Sequence, residues 1–135
     1  MVNVASMRGA LRYVSGPLQA RFTAPELSRR ALDELVHEFE DSVSDGSYES
    51  KGWPRSTYGV SKLAEIALTK LLARELAAAG VMVVSMCPGQ CRTDMAGPLA
   101  PRSAEEGAEI AVYLATTRAA LAAGAFYEDK HVSTW

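Results

Sequence analysis

Residues 57–79 constrain the fold of this chain more than any other stretch. At about 100° per residue, Tyr58, Lys62, Glu65 and Thr69 share one narrow polar stripe of a helix. Val60, Leu63, Ala64, Ile66, Ala67, Leu68, Leu71 and Leu72 cover most of the remaining circumference. A helix this apolar needs packing partners on more than one side. Gly80 stops it. The next seven residues, Val-Met-Val-Val-Ser-Met-Cys (81–87), form a near-continuous apolar run ended by Pro88-Gly89. That pattern suits a central parallel strand covered on both faces.

The flanking segments extend the same pattern. Residues 1–6 (MVNVAS) read as a short strand, stopped at Ser6-Met7-Arg8-Gly9. Residues 17–46 look helical in pieces. Within 28–44, Leu32, Leu35, Val36, Phe39 and Val43 recur at helical spacing, with Ser28 as cap and Asp45-Gly46-Ser47 as stop. Residues 51–56 form a turn-rich connector around Trp53, which is expected to pack this region against the body. Ser103-Ala-Glu-Glu106 is a capping-box sequence opening a helix to about residue 116. Ala125-Phe126-Tyr127 reads as a last short strand. Strand, helices, strand, helix, strand predicts one α/β domain over residues 1–135, built on a parallel sheet.

Composition excludes several alternatives. With 10 glycines, 6 prolines and 48% hydrophobic residues, the chain is neither collagen-like nor disordered. A net charge of −2, with Arg29-Arg30 as the longest basic run, gives no footprint for nucleic acid. No apolar stretch is long enough to span a membrane, and the first residues do not resemble a signal peptide. Cys87 and Cys91 are the only cysteines, and Pro88-Gly89 lies between them. They form neither a disulfide framework nor a metal knuckle, His37 and His131 carry no ligand pattern, and no metal is expected. A reducing, cytoplasmic setting fits this cysteine usage.

Four features stand in order: Asn3-Val4-Ala5-Ser6, Tyr58-Gly59-Val60-Ser61-Lys62, Cys87-Pro88-Gly89 and Arg92-Thr93-Asp94-Met95. Each falls at a predicted strand's carboxyl end or on the polar stripe, where α/β sheets place their ligand crevice. A tyrosine and a lysine four apart on a helix leave the same face. A nearby ammonium favours the phenolate, bringing a phenol toward the range useful for proton transfer. Taken alone the pair also fits an ordinary surface helix; the strand-end serine and the Pro-Gly strand end narrow the reading.

In these motifs the chain resembles the short-chain dehydrogenase/reductase family, and within it the NADPH-dependent carbonyl reductases. Asn3–Ser6 is similar to the family's serine strand, Tyr58–Lys62 to its active-site helix and Cys87–Met95 to its nicotinamide loop. Gly52-Trp53-Pro54, Asp94–Pro98, Glu105–Glu109, Val112–Ala115 and Tyr127–Trp135 also resemble carbonyl reductases. The resemblance implies an α/β Rossmann-like, doubly wound parallel sheet. Residues 10–55 would be a helical insertion, 57–79 the active-site helix, and 81–95 the strand and nicotinamide loop. It implies NADPH as cofactor and a small aldehyde or ketone as substrate. Ser6 would orient the carbonyl, Tyr58 would donate the proton, and Lys62 would assist Tyr58 and hold the cofactor ribose. Pro88, Gly89, Cys91 and Thr93 would also contact the cofactor; Gln90 and Met95 would border the substrate.

The family's glycine-rich cofactor turn has no counterpart here, since Gly9 and Gly16 are isolated. The chain is therefore expected to correspond to the C-terminal part of such a sheet, without the cofactor-binding half. A complete protein of this kind is expected to be monomeric, whereas this piece would tend to self-associate. Gln90 stands where carbonyl reductases often carry an aromatic, and Arg8 where an apolar side chain suits an apolar substrate. Both positions fit either drift at a pocket rim or an altered substrate preference. Cys87 fits a reactive thiol or a small buried hydrophobe, and Met95 a substrate contact or a core residue.

Overall fold

The computed structural model describes all 135 residues. In chain order it comprises β1 (Val2–Val4), 3-10 turns at Met7–Gly9 and Leu11–Tyr13, α1 (Gly16–Phe22), α2 (Arg29–Ser44), α3 (Thr57–Glu75), a 3-10 turn at Ala77–Ala79, β2 (Val84–Cys87), α4 (Ala104–Thr116), β3 (Phe126–Glu128) and β4 (His131–Val132). The sheet order is β1-β2-β3-β4. The first three strands are parallel, with Val4 beside Met86 and Met86 beside Tyr127.

The apolar character of α3 has the expected consequence. Val60, Leu63, Ala67 and Leu71 pack into a core with Leu18, Phe22, Leu32, Leu35, Phe39 and Trp53 from the 10–55 segment. Ile66, on another side of the helix, packs against the sheet through Ala5, Cys87 and Phe126. The opposite sheet face, carrying Val84, Met86 and Tyr127, is covered by Ile110 and Leu114 of α4. Helices thus lie on both faces of the sheet, and the insertion adds a layer outside α3. Trp53 is buried edge-on to Phe22 (centroids 6.0 Å) and tilted against Phe39 (5.3 Å).

Local signals explain the helix ends. Ser28 Oγ accepts from the Ala31 amide, and Ser56 Oγ from the Gly59 amide. The Ser103–Glu106 capping box closes in both directions.

The structure corrects three details of the sequence reading. The strand expected over 81–87 spans only Val84–Cys87, and Val81 and Met82 are exposed. Pairing with β1 begins at Val84 and pairing with β3 at Ser85. The sheet is not wholly parallel: β4 runs antiparallel to β3, reached through Asp129 and Lys130, both at positive φ. On α2, Val43 is exposed and Ser42 is buried instead, its hydroxyl donating to the Phe39 carbonyl.

The turn at Met7–Gly9 crosses the first turns of α3 at near backbone contact. A Cβ on Gly9 would lie 2.5 Å from the Lys62 carbonyl carbon, and one on Gly59 3.1 Å from the Arg8 carbonyl oxygen. The indole N–H of Trp135 donates to the Gly9 carbonyl (2.9 Å), so the C-terminal residue clamps the crossing. Because the clash at Gly9 is with backbone, no side-chain rotation relieves it. Gly9→Ala should lower stability by about 3 kcal/mol, read as a reduced urea midpoint at unchanged slope. Gly16→Ala, with open space around it, should stay within about 1 kcal/mol of the parent in the same titration.

Candidate active site

The carboxyl ends of β1 and β2 and the start of α3 open onto one cavity of about 580 Å³. Ser6, Tyr58, Gly89, Gln90 and Met95, all singled out in the sequence, line it. Cys87, Met7, Arg8, Tyr13, Ser56 and Glu128 complete the lining.

Each element aims its side chain for a local reason. Ser6 follows the end of β1 in extended conformation and caps the next turn, its Oγ accepting from the Arg8 amide at 3.1 Å. That bond uses one lone pair and leaves the hydroxyl proton free to donate. Tyr58 sits in the first turn of α3, half exposed. The crossing at Gly9 fixes the distance between these two segments.

Lys62 lies one turn further along α3, its Nζ 5.9 Å from the centre of the Tyr58 ring. It donates to the Val4 carbonyl at 2.9 Å and to Glu65 at 2.7 Å. The ammonium therefore stands on the same side of the helix as the phenol, behind the cavity, with a carboxylate partner. Beyond it, Asn3 Nδ2 donates to Thr69 Oγ1 (2.8 Å), which donates to the Glu65 carbonyl (2.9 Å). The polar stripe thus faces β1, and Thr69 is fully buried.

The loop after β2 is held by residues that the sequence reading passed over. Arg102 donates from Nη1 to the Pro88 carbonyl at 3.3 Å, and its backbone pairs with Gln90 and Arg92. Asp129 hydrogen-bonds the Arg102 guanidinium and holds its pKa above the ordinary arginine value. Pro88, Cys91 and Thr93 belong to this loop but not to the cavity lining. Cys91 Sγ packs where a Gly107 Cβ would sit, 2.3 Å away, and lies 3.5 Å from the Pro88 carbonyl. Thr93 is exposed, its hydroxyl 3.3 Å from the Cys91 carbonyl. Met95 is 87% exposed at the cavity rim, which settles against a core position.

Four cavity residues were missed in the sequence: Met7 and Ser56 adjoin the motifs, whereas Tyr13 comes from the insertion and Glu128 from the end of β3. No spacing rule links either to Tyr58. Glu65 was legible on the stripe, but its pairing with Lys62 was not.

Gly107→Ala tests how the loop is seated. The added methyl must displace Cys91, so the amide resonances of Gly89 to Arg92 should move, with a stability loss of about 1–3 kcal/mol. Unchanged loop resonances would show that α4 does not position it.

Comparison with known proteins gives a consistent picture. A family model described as short chain dehydrogenase matches residues 42–104. Carbonyl reductase (NADPH) 3 of Rattus norvegicus is 41% identical over the whole chain, and carbonyl reductase (NADPH) 1 of Mus musculus 38%. The chain spans about half the length of these relatives, 52% in each case. Among solved structures, salutaridine reductase of Papaver somniferum superimposes with a TM-score of 0.85 at 30% identity, over 94% of this chain and 44% of that one. The α/β architecture is that of part of a Rossmann-like sheet, and the chain is similar to short-chain dehydrogenases/reductases, carbonyl reductases among them.

Proposed function

We propose that this chain carries the proton-donating part of an NADPH-dependent carbonyl reductase, which converts aldehydes or ketones to alcohols. The observation behind this reading is the shared cavity: two hydroxyls, Ser6 and Tyr58, open onto one space beside the Pro88-Gly89 loop, with Lys62 anchored one helical turn behind.

In this reading the Ser6 hydroxyl donates to the substrate carbonyl oxygen and pins it beside Tyr58. Tyr58 passes its phenolic proton to that oxygen as charge develops there. Lys62, held against Val4 at the end of β1, supplies the cation next to the phenol and a donor toward the cofactor ribose. NADPH, when bound, supplies the hydride to the carbonyl carbon.

The residues present fit the nicotinamide end of that cofactor. Gly89 lines the cavity beside Cys87, and the loop is braced by Arg102. Pro88, Gly89, Cys91 and Thr93 would follow the nicotinamide and carboxamide, while Gln90 and Met95 would border the substrate. The 135 residues contain no glycine-rich turn to cradle the pyrophosphate. Full cofactor affinity therefore requires a grip beyond these residues. No helix is long and apolar enough to cross a membrane, and the two unpaired cysteines suit a reducing, cytoplasmic compartment.

In a protein joining these residues to a dinucleotide-binding segment, NADPH oxidation with an aromatic aldehyde tests the role of Tyr58. Tyr58→Phe should lower turnover about 10²–10⁴-fold with an unchanged circular dichroism spectrum. Retained turnover would remove Tyr58 as the proton donor.

A second reading, a non-catalytic piece or interaction module of the family, is favoured by the sheet edge. Val4 and Met1 of the first segment are half exposed, and an apolar groove lined by Val2, Met82, Val84, Ala111 and Leu114 runs beside β1. Such an edge invites self-association of the 135-residue chain; the joined protein is expected to be monomeric. Titrating the 135-residue chain with NADPH should show no saturation in the micromolar range. Micromolar binding would mean that the cofactor grip is already present.

A further inference from the structure

Arg8 is the one cationic side chain lining the cavity that holds Ser6 and Tyr58. It is exposed, and among these 135 residues its guanidinium has neither an ion-pair partner nor a hydrogen bond. Every other arginine of the insertion and its flanks that forms an ion pair does so away from the cavity: Arg21 with Glu38, Arg29 with Glu75, Arg30 with Glu34 and Arg55 with Glu49. The acidic residue of the cavity, Glu128, ends β3 and lies two strands from β1, about 10 Å of sheet away. The cavity thus has a basic end next to the Ser6 hydroxyl and an acidic end across the sheet.

Position adds to charge. Arg8 follows Ser6 by two residues, and its amide donates to Ser6 Oγ. Its backbone is fixed by the near contact of its carbonyl with Gly59. A rigid backbone beneath an unpaired guanidinium offers a planar fork suited to a carboxylate.

We propose that Arg8 selects the substrate: the cavity takes an aldehyde or ketone that also bears a carboxylate, with the carbonyl at Ser6 and Tyr58 and the carboxylate on Arg8. This rests on the reductase reading above. Glu128 repels the same carboxylate and so disfavours the reversed orientation. Chemically, the substrate class is an oxo acid whose two functional groups are separated by the reach of one arginine side chain, and the product is the matching hydroxy acid.

Titration of the isotopically labelled 135-residue chain with 4-acetylbenzoate and with its neutral counterpart 4-acetylbenzamide tests the assignment. Both ketones should shift the amide resonances of Ser6, Gly89 and Gln90. The benzoate should bind about fivefold more tightly at low ionic strength, an advantage that narrows as salt is added. Arg8→Met should erase the difference by weakening benzoate binding about fivefold, and Arg8→Lys should keep part of it. Equal affinities in the parent chain, or a preference that survives Arg8→Met or high salt, would overturn the Arg8 assignment and leave the reductase reading standing. If neither ketone moves the cavity resonances, the reductase reading fails and the Arg8 assignment with it.

Discussion

The near-contact crossing of the Met7–Gly9 turn over α3 is the constraint on which the arrangement depends. A strand end and a helix start come from positions about fifty residues apart, and only a glycine lets the backbones meet this closely. The crossing is fastened twice more, by Trp135 on the Gly9 carbonyl and by Lys62 on the Val4 carbonyl. Each fastening joins a distant part of the chain to the end of β1. The position of the Ser6 hydroxyl relative to the Tyr58 phenol is therefore a property of the packed domain, not of either segment.

Lys62 illustrates how packing modifies a motif. Helical spacing places its ammonium beside the phenol, and the structure agrees. Yet its hydrogen bonds go to β1 and to Glu65. Pairing the ammonium with the Glu65 carboxylate lowers the cost of keeping a partly buried cation against the sheet. It also holds the side chain in one place, which a freely solvated lysine would not be.

Much of the fold was legible because local and long-range requirements coincide. The caps at Ser28 and Ser103 follow from residue chemistry at fixed offsets, and α3 is recognisable because so much of its surface demands burial. Where the two requirements separate, the sequence misleads. Val43 continues the apolar period of α2, but the helix end turns Ser42 inward, where its hydroxyl finds the Phe39 carbonyl. Val81 and Met82 look like strand residues, yet β2 pairs with β1 only from Val84 and with β3 only from Ser85. The hairpin to β4 uses Asp129 and Lys130 at positive φ, where the usual glycine signal is missing. Motif order alone anticipated that Ser6 and Tyr58 would lie near each other, and they line one cavity. The Arg102–Asp129 brace and the arrival of Tyr13 and Glu128 were not anticipated, because they depend on loops meeting in space.

The central claim is that one carbonyl oxygen can meet the Ser6 and Tyr58 hydroxyls together. The carbon resonance of a ketone labelled at its carbonyl, bound to the 135-residue chain, reports this directly, since each donated hydrogen bond moves it downfield. The account predicts a downfield shift on binding that is partly reversed in Ser6→Ala, partly reversed in Tyr58→Phe, and abolished in the double variant. A bound ketone whose carbonyl resonance ignores either substitution would contradict it.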